Sequence, residues 1–147
     1  MTALLSLIST MHEYSQQLIS CLNEEKNALD KQAFDELSEL APKKQLIIDK
    51  LHNVEQQCID ICSGNDISKY IESSGKRSLQ TIWHSTQELL KDCRRLNEVN
   101  GLLINKHSNI NQDMLTLLTG NQQQSGQTYN AQGNQANSNS ILNNIEA

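Results

Sequence analysis

The sequence predicts an all-α fold: an antiparallel helical hairpin plus a long third helix, forming a coiled-coil-like three-helix bundle, with a disordered C-terminal tail. Three observations carry this. Apolar residues recur at alternating spacings of four and three over three long stretches, the period of a helix seam packed on other helices. One Pro and six Gly in 147 residues leave those stretches almost uninterrupted. From Gly120 onward the only charged side chain is Glu146, and the chain turns to Asn, Gln, Ser and Gly. Such a composition cannot bury enough apolar area to offset the cost of ordering it. The expected division is a helical domain over 1–118, with helices near 3–29, 31–62 and 76–118, and a polar tail over 119–147.

The first seam is Leu4, Ile8, Met11, Ser15, Leu18, Leu22, Glu25 and Leu29, with Ser15 and Glu25 as its polar interruptions. Asp30 follows as the expected N-cap of the next helix, because a short carboxylate accepts the orphan amide hydrogens of a first turn. The second seam is Leu37, Leu40, Lys44, Ile47, Leu51, Val54, Cys58 and Ile61. Pro42 sits inside it without an amide proton and is expected to kink or restart the helix.

Two antiparallel registers fit these seams. A turn at Asp30 to Ala33 sets Leu22 against Leu40 and Leu18 against Lys44. A longer turn centred on Phe34 and Asp35 sets Leu22 against Ile47 and Glu25 opposite Lys44, which pairs two polar seam residues whose isolation in a core is costly. The sequence favours the first, which keeps Ala33 to Leu40 helical and needs only a short loop.

Ser63 to Ser74 reads as a connector with one helical turn capped by Asp66, bounded by Gly64, Ser73, Ser74 and Gly75. From about Lys76 the third seam runs through Leu79, Ile82, Thr86, Leu89, Cys93, Leu96, Asn100, Leu103, His107, Ile110, Met114 and Leu117, with Trp83 and Leu90 broadening its first half. A helix of that length measures about 60 Å, against about 40 Å for the first. Laid back along the hairpin, it overshoots the turn over Ile104 to Leu118. Ile110, Met114, Leu117 and Leu118 then face solvent or a partner. The alternative is a break at Gly101, where glycine costs about 1 kcal/mol in a helix interior, with the end folded back on the bundle.

The remaining chemistry is sparse. A net charge of −5 opposes nucleic-acid binding, which requires a basic face. No apolar run reaches the length of a membrane span, and the N-terminus lacks a basic segment and a cleavage site, so a soluble cytoplasmic protein without membrane insertion is expected. Cys21, Cys58, Cys62 and Cys93 are spread without the C-x-x-C spacing of a zinc site and read as reduced, buried thiols. His12, His52, His84 and His107 show no metal-ligand spacing, and no nucleophile elbow, zincin or phosphate-loop motif is present. No cofactor, metal or catalytic residue is expected. On the third seam, His107 reads as an interfacial histidine and Asn100 as a residue that fixes register. The charged residues from Glu24 to Glu39 read as solvated faces.

Three elements resemble the flagellar type III export chaperones of the FlgN type. Glu25, Ala28 and Leu29, followed by Leu37, Leu40, Lys44 and Leu51, are similar to that family's hairpin pattern. Leu96, Asn97, Asn100, Gly101, Leu103 and Ile104 match its Leu-Asn-x-x-Asn-Gly-x-Leu-Leu signature, the more specific of the elements. Thr128 and Tyr129, in TYNAQG, resemble its Thr-Tyr-Gly-x-x-Gly tail motif, with Asn130 in place of the first Gly. The likeness runs from about Leu18 to Gly133.

The resemblance implies a cytoplasmic chaperone for the hook-associated proteins that join hook to filament. Such a chaperone prevents their premature assembly and delivers them to the export gate. It further implies client binding on the C-terminal helix, here Leu103, Ile110, Met114, Leu117 and Leu118, and gate docking through Tyr129. Periodicity alone equally fits a structural coiled coil without a client, whose overhang forms a homo-oligomer with a second copy.

Overall fold

The structure, a computed structural model, describes residues Thr2 to Thr119, with side chains as far as Leu118. These residues form α1 (Thr2–Asp30), α2 (Phe34–Ile61), α3 (Ile67–Ser73) and α4 (Arg77–Thr119), with no strand among the described residues. The fold is all-α, as the sequence predicts. The tail from Gly120 onward, Tyr129 included, lies outside the described residues.

α1 is the central helix. Every position of its predicted seam is buried, joined on the flanks by Cys21 and Ala28. α2 and α4 each pack along its length and approach one another far less. α2 returns antiparallel to α1. α4 runs parallel to α1, because its contacts climb both helices together. His12 Nδ1 lies 3.2 Å from Thr86 Oγ1, the Cys93 thiol donates to the Ser15 carbonyl at 3.5 Å, and Asn100 Nδ2 donates to the Leu22 carbonyl at 2.9 Å.

The turn between α1 and α2 is the short one, yet it carries the Glu25–Lys44 pairing expected of the longer register. Ala33 N–H donates to Ala28 O at 2.8 Å and Gln32 N–H to Leu29 O at 3.1 Å, the paired bonds of a Schellman ending. Gln32 takes the left-handed position, at φ 55°. Asp30 is therefore not the cap of α2. It is the last residue of α1, paired with Lys26 at 3.2 Å, and the N-cap of α2 is Ala33, with no side-chain cap. Asp35 and Glu36 in the first turn of α2 offset the helix dipole instead. Pro42 neither ends nor restarts α2, which runs through it. It sits on the exposed face, where the Ser38 carbonyl freed by the missing amide can meet water.

Along α2 the seam buries Leu40, Ile47, Leu51, Val54 and Cys58, but Ile61 is exposed and Cys62 is buried in its place. The reason is the helix end. A second Schellman pair, Gly64 N–H to Ile59 O and Ser63 N–H to Asp60 O, turns the chain just after Ile61. Asp66 then caps α3 as expected, accepting from Lys69 N–H at 3.0 Å. α3 is held to α4 by Ser68 Oγ, which accepts from Trp83 Nε1 at 3.0 Å and from Gln87 Nε2 at 3.1 Å.

On α4 the most deeply buried stripe is Leu79, Trp83, Thr86, Leu90, Cys93, Asn97 and Asn100. The predicted Ile82, Leu89 and Leu96 are half-buried beside it. Trp83 and Leu90, read as broadening the seam, are its buried members, and Asn97 is buried with them, accepting from Lys44.

Candidate functional site

The upper end of the bundle is organised by a buried polar cluster. Lys44 Nζ lies 3.4 Å from Glu25 Oε2 and donates to Asn97 Oδ1 at 2.7 Å. Asn100 Nδ2 donates to Glu25 Oε1 and to the Leu22 carbonyl, both at 2.9 Å. One residue from α1, one from α2 and two from α4 are thereby fixed at one level. Asn100 is buried and bonded across to α1, and Glu25 is not part of a solvated face. Two turns higher on α4, His107 packs edge-on against Phe34, with ring centroids 5.8 Å apart and planes at 80°. Its interfacial contact is thus aromatic.

Beyond that contact the hairpin has ended, since Asp30 closes α1 and Phe34 opens α2. α4 continues without a break at Gly101. The segment from Ser108 to Thr119 projects about 18 Å past the bundle at 1.5 Å per residue. The overhang starts later than Ile104, because Leu103, Ile104 and His107 are half-buried beside the bundle.

On the projecting segment Ile110 is 47% exposed, Met114 55%, Leu117 84% and Leu118 78%. Leu115 is 60% exposed as well. Seam counting omits Leu115 because it lies off the line of fours and threes. Where no partner helix is present, that line no longer separates inside from outside. Farther down α4, Val99 and Leu102 extend the apolar exposure on the outer side. Between Val99 and Thr119 the only charged side chains are Lys106 and Asp113. Exposed apolar surface of this kind, almost free of charge, commonly marks an interaction site.

Residues 1–137 match the family model for the FlgN protein. The chain belongs to the FlgN family. The match takes in the hairpin, the polar cluster, the free end of α4 and part of the sequence beyond Thr119. FlgN-family membership makes the chain a flagellar type III export chaperone. Searches of curated proteins and of solved structures find no match.

The thiols of this FlgN-family chain are core residues. All four are free and buried. Burial pushes Cys58 and Cys93 up to about 12 and raises Cys21 and Cys62 as well. Among the described residues no group of His, Cys, Asp and Glu is placed to hold a metal ion, and no helix is long and apolar enough to cross a membrane.

Proposed function

We propose that this chain binds hook-associated proteins of the flagellar hook–filament junction in the cytoplasm, keeps them from assembling early and delivers them to the type III export gate. The observation that supports this reading is the free apolar end of α4. Ile110, Met114, Leu117 and Leu118 form the client surface, Leu115 widens it, and Leu103 lies at its half-buried base. A client segment would add the amphipathic helix that the bundle lacks at this level, a helix-against-helix mode of recognition. Tyr129 docks at the gate in this reading, on the strength of the tail resemblance.

The energetics suit a carrier. Each Leu-sized side chain taken out of water contributes about 1.5–3 kcal/mol. Ordering a flexible client opposes this by about 1–2 kcal/mol per residue. The balance is a moderate and reversible affinity, which permits release at the gate.

Calorimetry with C-terminal segments of hook-associated proteins tests the reading, using the full chain and the Ile110→Ser, Met114→Ser, Leu117→Ser triple variant. Saturable binding that disappears in the variant supports it. Binding that survives moves the client site onto the hairpin. If the full chain binds no such client but sediments as an oligomer, the self-associating coiled coil is the better account.

A further inference from the structure

The end of α4 and the last residues of the chain are complementary. The tail is polar until Ser140 and then reads Ile141, Leu142, Asn143, Asn144, Ile145 and Glu146. This is its only cluster of large apolar residues, and it carries the tail's only charged side chain. The exposed apolar surface nearest the start of the tail is the one just described, on Ile110, Met114, Leu117 and Leu118.

We infer that the segment Ile141 to Ile145 folds back onto the free end of α4 and covers it when no client is bound. The inference rests on reading the α4 end as a docking surface, and it assigns that surface an occupant from the same chain.

Chain length permits it. Residues 120–140 are Gln, Asn, Ser and Gly-rich, and a chain of that composition and length spans about 25 Å on average. The distance to be covered, from Leu118 back to Ile110, is about 12 Å along the helix. A tether of this kind presents its end at an effective concentration in the millimolar range. A short apolar contact that would be negligible between separate molecules then becomes significant within one.

Charge gives the direction. A tail leaving Thr119 and returning down α4 carries Ile141 towards Leu117, Ile145 towards Ile110, and Glu146 towards Lys106. Lys106 is exposed and is the only Lys or Arg after Arg95, while Glu146 is the only acid after Asp113. The opposite direction would carry Glu146 past Leu117 to the end of α4, far from Lys106. The occupant is small, with three apolar side chains against a surface of five. A client helix that covers the whole surface displaces it.

The test is paramagnetic relaxation in the full chain carrying a nitroxide on Asn143→Cys. The native thiols are buried and their pKa values raised, so the label goes to the new cysteine. Fold-back is expected to broaden the amide signals of Ile110 and Met114 as strongly as that of Leu118, and the Ile141→Ser, Leu142→Ser, Ile145→Ser variant is expected to abolish the effect. Lys106→Glu is expected to weaken it.

Broadening that simply decays from Leu118 towards Ile110 describes a free tether and overturns the inference. The same pattern in a mixture of labelled and isotope-enriched chains assigns the surface to a second copy and overturns it too. Persistence in the triple serine variant rules out this segment as the occupant. No client is present in any of these samples, so a failure of the client reading by calorimetry leaves this result standing, and the reverse also holds.

Discussion

Lys44 Nζ lies 3.4 Å from Glu25 Oε2, the pairing expected of the longer turn, although the turn is the short one. Helical side chains lean towards the N-terminus of their own helix. In an antiparallel hairpin, Lys44 therefore leans towards the turn and Glu25 away from it. The long lysine stem closes the remaining gap. Both side chains are nearly buried, at 12% and 6% exposure, so each depends on the other and on the two asparagines of α4.

Lys44→Met is accordingly expected to destabilise the chain by about 3 kcal/mol, because it leaves a buried carboxylate without its cation. Adding Glu25→Gln is expected to restore most of that loss, since the amide can still accept from Asn100. Urea unfolding of the two single variants and the double variant measures both. A Lys44→Met effect no larger than about 0.5 kcal/mol, the size of an ordinary surface change, would show that the cluster does not stabilise the bundle.

Gln32 offers a gain rather than a loss. It occupies the left-handed position of the turn at φ 55°, where a side chain costs roughly 1–2 kcal/mol and glycine costs little. The residue is exposed, so its side chain leaves no core contact behind. Gln32→Gly is expected to raise stability by about 1 kcal/mol and Tm by about 4 °C, read by thermal denaturation. No change, or a fall, would mean that Gln32 makes a stabilising contact that outweighs its backbone strain.

What the sequence revealed follows from what periodicity can report. The α1 seam was legible from Leu4 to Leu29 because a central helix is buried along one continuous line, and its two polar members were the ones later found bonded to neighbours. Asp66 was legible as a cap because capping is local. The α4 seam was displaced because Trp83 and Leu90 compete with Ile82 and Leu89 at the same spacing, and because Asn97 is buried with a hydrogen bond to another helix, which no local pattern encodes. The same limit applies to Gln32, a polar residue in a position usually marked by glycine, and to Asp30, which resembles a cap while ending the previous helix. The free end of α4 was visible through length alone, as a long helix against a shorter hairpin. Its true start, past His107, required knowing that Phe34 would meet the histidine ring.

Gly101 lies between the deeply buried part of α4, which ends at Asn100, and the half-buried turns that lead to its free end. A Cβ built there meets nothing within 4 Å, so close packing does not explain the glycine. Gly101→Ala is expected to stabilise α4 by about 1 kcal/mol through helix propensity. Hydrogen exchange is the informative probe, with amides from Leu102 to Leu118 slowing severalfold and those below Asn97 changing less. Unchanged exchange throughout would show that opening at this site does not limit the motion of the helix end.

The buried thiols make stability depend on alkaline pH. Cys58 and Cys93 are pushed from 9.0 up to about 12, chiefly by burial. A thiol whose pKa is raised on folding binds its proton more tightly in the native state. Its contribution is fully present below the unfolded value and is lost as pH rises towards the folded one. Between 9.0 and about 12 the unfolded chain releases these protons while the native chain keeps them. Stability is therefore expected to fall steadily across that window. Urea titrations at rising pH should show a shallower fall in a Cys58→Ala, Cys93→Ala variant, after allowance for its lower stability at neutral pH. In the same window iodoacetamide should label the native chain slowly and the urea-unfolded chain at the rate of a free thiol. Rapid labelling of the native chain without loss of helix would place these sulfurs at the surface and remove the basis for the pH effect.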